Sequence, residues 1–391
     1  MVTITKVVDN GDPADKIDIL VMGDGFDSST TDQNRFDAKV QDFINKFFAI
    51  APFDVLKTAF NVYKAEVVSN DSGIDRPDDN ITRDTALNTS YGSGDLERLI
   101  TATDGGVAIQ NIMNQAAGDY SAGGQDYGAV VVLINDVHYG GGAAGFYTTT
   151  SIGKDGSYDY AGFVDIVAHE LGHSLGYLGD EYEYNGDKKT YTGSEPSNPN
   201  LTIETQRNLI KWKDHIDAST PLPTYSKGGA CDAPNKSATT LAGYPEGTVG
   251  LFEGGKYYNC GIYRPEGRCM MRALGYVFCK VCNLALIKSV SDRGAICFIA
   301  TAAYGSELDP HVMFLRNFRD DVVLRSRYRR GFEDLLDIYY RFSPPIAEEM
   351  KRNEFYKNFM KYTVVWPTIA LIKAIVFLAK LVRGKSPDKS I

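Results

Sequence analysis

His169 and His173 stand four residues apart in AHELGHSLGYLGDEY (168–182), with Glu170 beside the first of them. On a helix turning about 100° per residue, such a pair lies one turn above the other on a single face. Two imidazoles so placed can grip one zinc ion, and the adjacent carboxylate can reach a water held by it. Zinc lowers the pKa of that water to about 7, the carboxylate takes its proton, and a departing amine can receive it. The chemistry expected is hydrolysis of a peptide bond, with His169 and His173 as metal ligands and Glu170 as general base. A purely structural zinc would need a closed set of four protein ligands, whereas Glu170 points to a bound water at an open corner.

A third ligand has to follow the helix. Gly179, ten residues beyond His169, has no side chain, so Asp180 is the first choice and Glu181 the near alternative. Gly176 and Gly179 leave the backbone free to turn Asp180 back toward the metal. Glu204 is the choice if a second helix supplies the ligand. Whichever of Asp180 and Glu181 is not a ligand is expected to hold a histidine in its tautomer.

The element that positions the pair is a helix over 162–178. Val164, Val167, Ala168, Leu171, Leu175 and Leu178 gather on one side of it. The two histidines lie roughly 160° around the axis from Leu171. Upstream, KIDILVMGD (16–24) and FNVYKAEVVS (60–69) read as strands, and 33–50 as a helix through Phe36, Val40, Phe43 and Phe47. AVVVLIN (129–135) reads as the central strand. SNDSGIDRPDDN (69–80) lacks the full calcium-loop spacing and reads as a solvated acidic loop. The glycine run YGGGAAG (139–145) has no Lys-Ser/Thr after it, so it is not a phosphate cradle. It is either a flexible hairpin or backbone left open to another chain; an extended substrate would pair with an edge strand near 143–150. Residues 183–260 are rich in Gly, Pro, Ser, Thr and Asn, with one helical patch at 203–217.

Composition bounds the class. With 391 residues, 43% hydrophobic and 23% charged, the chain is globular and long enough for two domains. A net charge of −9 argues against a nucleic-acid binder. The charge is uneven: residues 298–391 hold 16 Lys/Arg against 11 Asp/Glu, and the preceding part 25 against 39. An acidic body and a basic tail imply two units. MVTITKVVDNGDPADK has no basic start, apolar stretch or small-residue cleavage site, so an intracellular chain or one whose leader is already trimmed is expected.

HELGHSLGYLGDEY is similar to the signature of the IgA peptidase family of secreted zinc metallopeptidases. ILVMGDGF, FNVYKAEVVSNDSGIDRP and GIYRPEGRCMMRALGYVFCKVC resemble that family's other blocks in the same order, so the resemblance covers about residues 1–290. It implies an α/β zincin-like (metzincin-like) domain with a central sheet and the HExxH helix, one catalytic zinc, and endopeptidase action on a protein or peptide substrate. It also implies an extracellular or cell-surface location and a methionine turn beneath the metal, with Met271 in that turn. Immunoglobulin specificity is not implied. Intact His169, Glu170 and His173 weigh against a non-catalytic binding protein that kept the fold.

Tyr263 is the candidate donor to the developing oxyanion, with Tyr276 as its rival and a structural role open for each. Cys269, Cys279 and Cys282 contain one CxxC, a weak zinc-ribbon signal. A disulfide from Cys269 to Cys279 or Cys282 would clamp the methionine turn in an oxidising compartment, and Cys260 could join the set.

From Cys297 the chain resembles the CFI-box C-terminal domain, giving expected units of 1–293 (catalytic) and 294–391 (all-α). Helical spacing runs through Phe314, Phe318, Val322 and Leu324, then through Phe332, Leu335, Leu336, Tyr339 and Tyr340, with SPP (343–345) ending the hairpin. Residues 363–382 are long enough to span a bilayer but carry Lys373 near the centre. Spanning, lying in the membrane interface and packing on the chain's own domain all stay open.

Overall fold

The computed structural model describes residues 2–11, 13, 16–92, 97–115, 128–144, 146–153, 162–183, 189–228, 231, 244–292, 298–305, 309–318, 339, 343, 346–347, 349–350 and 352–383. Contacts divide the chain into two units, Met1–Val290 and Ser291–Ile391.

The first unit contains strands β1 (Thr3–Val8), β2 (Ile17–Asp24), β3 (Phe60–Glu66), β4 (Thr89–Tyr91) and β5 (Ile100–Ala102). Strands β6 (Gly128–Ile134), β7 (Gly141–Ala144), β8 (Tyr147–Ser151), β9 (Phe252–Gly255) and β10 (Tyr258–Arg264) follow. Its helices are α1 (Thr30–Phe47), α2 (Phe53–Leu56), α3 (Val107–Gln115), α4 (Phe163–Gly176) and α5 (Lys280–Asp292). Six strands form one mixed sheet in the order β1-β3-β2-β6-β8-β7. The inner strands β3, β2, β6 and β8 are parallel, and the rim strands β1 and β7 are antiparallel to their neighbours.

Burial on both faces explains the unbroken apolar runs. Every residue of β2 is buried. Leu20 and Met22 join Val130, Val132 and Ile134 of β6 in one apolar cluster, while Ile19, Val21, Val131 and Leu133 alternate to the opposite face. Each such side chain contributes about 1.5–3 kcal/mol by leaving water. Helix α1 begins at Ser29, whose side chain accepts the Asp32 N–H, and buries Phe36, Val40, Phe43 and Phe47. It packs on α4.

Two local expectations need correction. The 203–217 patch is not an α-helix but two single 3-10 turns, Arg207–Leu209 and Lys213–His215. Long side chains of the patch tie it to its flanks: Lys211 Nζ donates to the carbonyls of Asn198 and Leu201, and Arg207 to those of Ile216, Asp217 and Thr220. The glycine run agrees with its hairpin reading: Gly141–Ala144 is the rim strand β7, paired antiparallel with the next strand, β8. The disulfide joins Cys231 to Cys260, whereas Cys269, Cys279 and Cys282 are free. In the acidic loop, Asp75 and Asp71 accept the N–H groups of Arg83 and Asp84.

The described part of the second unit is helical, with segments Phe298–Tyr304, Pro310–Asn317, Glu354–Met360 and Trp366–Arg383. Ile299, Ala303, Val312, Met350, Met360, Val365 and Ile369 make its own apolar core. Cys297, Val322, Leu324, Phe332, Leu335, Leu336, Tyr340 and most of SPP lie outside the described residues. Among the described residues no helix is long and apolar enough to cross a membrane, so the spanning reading of 363–382 finds no support there. Buried Ile369 and Lys373 Nζ, 5.2 Å from the Phe314 ring centroid, show that segment packing on its own unit.

Candidate active site

Helix α4 presents the histidine pair as the spacing requires. Its buried side holds Val164, Val167, Ala168, Leu171 and Leu175, and Leu178 just beyond its end is buried too. His169, Glu170 and His173 line a cleft of about 650 Å³ on the other side. The imidazole centroids are 4.9 Å apart. His169 Nδ1–H donates to the Met270 carbonyl at 3.0 Å and His173 Nδ1–H to the Leu178 carbonyl at 2.7 Å. A carbonyl only accepts, so both tautomers are set and both Nε2 atoms are left for the cleft.

Asp180 completes the cluster. Its Oδ1 lies 3.2 Å from His169 Nε2 and 3.2 Å from His173 Nε2. The three side chains offer one ligand atom each within 4.8 Å of one another, and two nitrogens with one carboxylate oxygen suit zinc. Three donors leave one tetrahedral corner for water or substrate. The fit of this donor set to a zinc ion is therefore good.

The turn that delivers Asp180 depends on close approach at Gly179, where a Cβ would stand 2.4 Å from Leu201 Cδ1. Asn200 clamps the same turn, accepting the Gly179 N–H at 2.7 Å and donating to its carbonyl at 2.8 Å. The Asp180 carbonyl accepts the Lys256 N–H at 2.7 Å. Lys256 and Tyr257 both have positive φ, 50° and 73°, an uncommon conformation for side-chain-bearing residues. That kink between β9 and β10 lets the Tyr257 hydroxyl donate to Asp180 Oδ2.

The electrostatics follow from burial. Desolvation raises the Glu170 carboxyl, partly countered by His169, His173 and Arg98. Burial opposes charge on His173, yet the Asp180 carboxylate lifts it to about 9. Burial pushes Asp180 up, but hydrogen bonds from both histidines and Tyr257 hold it well below the usual carboxylate range.

Met271 is fully buried beneath α4, against Gly172, where a Cβ would meet its sulfur at 2.6 Å. The Met270 carbonyl orients His169, so the turn supports the histidines both by packing and by hydrogen bond. Rim strand β7 borders the cleft through Gly141, Gly142 and Ala143.

Other expected residues are placed elsewhere. Glu181 does not hold a histidine; it is buried with Asn200 Nδ2 at 2.9 Å and Cys282 Sγ at 3.2 Å from its Oε1. Glu204 is outside the cleft lining, its N–H donating to the Thr202 hydroxyl. Tyr263 pairs with Glu253 across β9 and β10 and does not line the cleft, nor does Tyr276. Tyr257, Tyr182 and Arg98 do line it and were not singled out. One tyrosine among 24 carries no spacing signal, and only the kink at Tyr257 reveals its place.

No curated protein matches the chain. The family described as IgA Peptidase M64 matches residues 5–238 and 236–290, most of the chain and all of the cleft. The chain therefore belongs to the IgA peptidase M64 family, a family of peptidases that hydrolyse peptide bonds.

Proposed function

We propose that this protein is a zinc-dependent metalloendopeptidase whose base is Glu170. The observation that carries the reading is the convergence of His169 Nε2, His173 Nε2 and Asp180 Oδ1 beside the Glu170 carboxylate in one cleft. Zinc held there would polarise the scissile carbonyl and acidify a water at the open corner.

The chain's own residues do the rest. Glu170 accepts the water's proton; its raised affinity for protons lets it keep that proton and pass it to the departing amine. Tyr257 donates its one hydroxyl proton to the second oxygen of Asp180; turned to a bound substrate, that proton would serve a developing oxyanion, a role better suited to this cleft-lining residue than to Tyr263, which is outside the lining. An extended substrate lies along β7, which borders the cleft through Gly141, Gly142 and Ala143.

A secreted or cell-surface location fits the Cys231–Cys260 disulfide. Residues 1–293 are the catalytic domain and the rest an attachment or sorting unit, in keeping with a family match that stops at residue 290. Cleavage of an unfolded protein should stop on chelation and return with added zinc. Cleavage that persists in chelator would sink the proposal.

A further inference from the structure

We propose that Cys269, Cys279, Cys282 and Glu181 form a second metal site, closed and structural, that takes a thiophilic divalent ion, Zn2+ first. The four residues offer one ligand atom each, all within 4.8 Å of one another. All are buried, at 0, 3, 0 and 0% exposure. Three soft sulfurs and one oxygen in a closed set of four are the donors of a structural zinc site. The cleft cluster differs on both counts, with nitrogen and oxygen donors and an open corner.

Three observations point to an ion rather than to plain core packing. Glu181 Oε2 is buried and, among the described residues, has no hydrogen-bond partner. A carboxylate oxygen left so in the interior costs several kcal/mol unless the group takes up a proton or a cation compensates it, and the three sulfurs beside it are donors for such a cation. Backbone donors already face the sulfurs: Cys279 N–H lies 3.3 Å from Cys269 Sγ and Cys282 N–H 3.5 Å from Cys279 Sγ. Such donors favour thiolates, the form that binds metal. Finally, the three cysteines are free while the same unit carries the Cys231–Cys260 disulfide. In an oxidising compartment, thiols this close would pair unless an ion held them; as it binds, the thiols release their protons.

The site has a mechanical consequence. Glu181 comes from the loop after α4, Cys269 from the methionine turn, and Cys279 and Cys282 from the start of α5. The Glu181 N–H donates to the Met271 carbonyl at 2.8 Å, so loop and turn already touch. An ion here pins both, and with them Asp180 and the carbonyl that orients His169. The chemistry is independent of the cleft: it needs none of His169, His173 or Asp180.

The test uses the full chain. Wild type is expected to hold two zinc equivalents after desalting, and the His169→Ala/His173→Ala variant one. Cobalt added to that variant after its zinc has been stripped should give the near-ultraviolet absorption of sulfur-to-cobalt charge transfer, and Cys282→Ser on the same background should weaken it. If the cysteine variant does not fold, the double-histidine spectrum decides alone. A double-histidine variant with no metal and no such absorption would overturn the proposal. So would alkylation of the unreduced, denatured chain showing Cys269 already bonded to Cys279 or Cys282. Equal single occupancy in wild type and the histidine variant would instead overturn the cleft reading and leave this one standing.

Discussion

Asp180 and Glu181 are consecutive, yet their carboxylates enter different clusters. Asp180 Oδ1 is 3.2 Å from both His169 Nε2 and His173 Nε2, and Glu181 Oε1 is 3.2 Å from Cys282 Sγ. One loop after α4 thus serves the cleft with its first acid and the interior with its second.

Asp180→Ala should weaken zinc binding in the cleft by more than the ~10–100-fold lost with an outer partner, because two imidazoles would remain to hold the ion. A competing-chelator titration checks this. Unchanged affinity would move the third ligand elsewhere.

In the metal-free protein His173 is raised from 6.5 to about 9. A raised histidine contributes stability that is complete below pH 6.5 and lost as pH climbs through about 9. Zinc needs the same nitrogen unprotonated, so its apparent affinity should rise across that interval while the metal-free chain weakens. Urea melts and zinc titrations at matched pH values measure both slopes. A zinc affinity flat from pH 6.5 to 9 would contradict the assignment.

Gly172→Ala places a Cβ 2.6 Å from Met271 Sδ in a closed interior. Such overpacking costs about 1–3 kcal/mol, so the denaturation midpoint should fall, and Met271→Ala should cost less on that background than in the wild type. A midpoint unchanged in Gly172→Ala would show that the turn does not press on the histidine helix.

Tyr257→Phe removes the hydroxyl at Asp180 and should lower kcat by about 10²-fold or more with little change in KM. Tyr263→Phe, outside the cleft lining, should leave kcat unchanged. The reverse pattern would restore the sequence-based assignment.

The contrast between the two tyrosines shows what was legible in the chain. Helix α4 and its two faces were readable because periodicity alone decides which side of a helix is buried. Asp180 was readable because Gly179 has no side chain to offer. Tyr257 was hidden, since its approach depends on two residues at positive φ that no local pattern marks. The cysteines misled for a different reason. Short separations favoured a bond at Cys269, whereas the fold brings Cys231 to Cys260 across 29 residues and leaves the nearer three gathered around Glu181.

The most direct test of the central claim is Glu170→Gln, assayed for zinc content and for cleavage of an unfolded protein. The amide keeps the shape and the histidine–aspartate cluster but cannot take a proton, so zinc content should match wild type while turnover drops by about 10²–10⁴-fold. Turnover equal to wild type at full zinc occupancy would contradict the account.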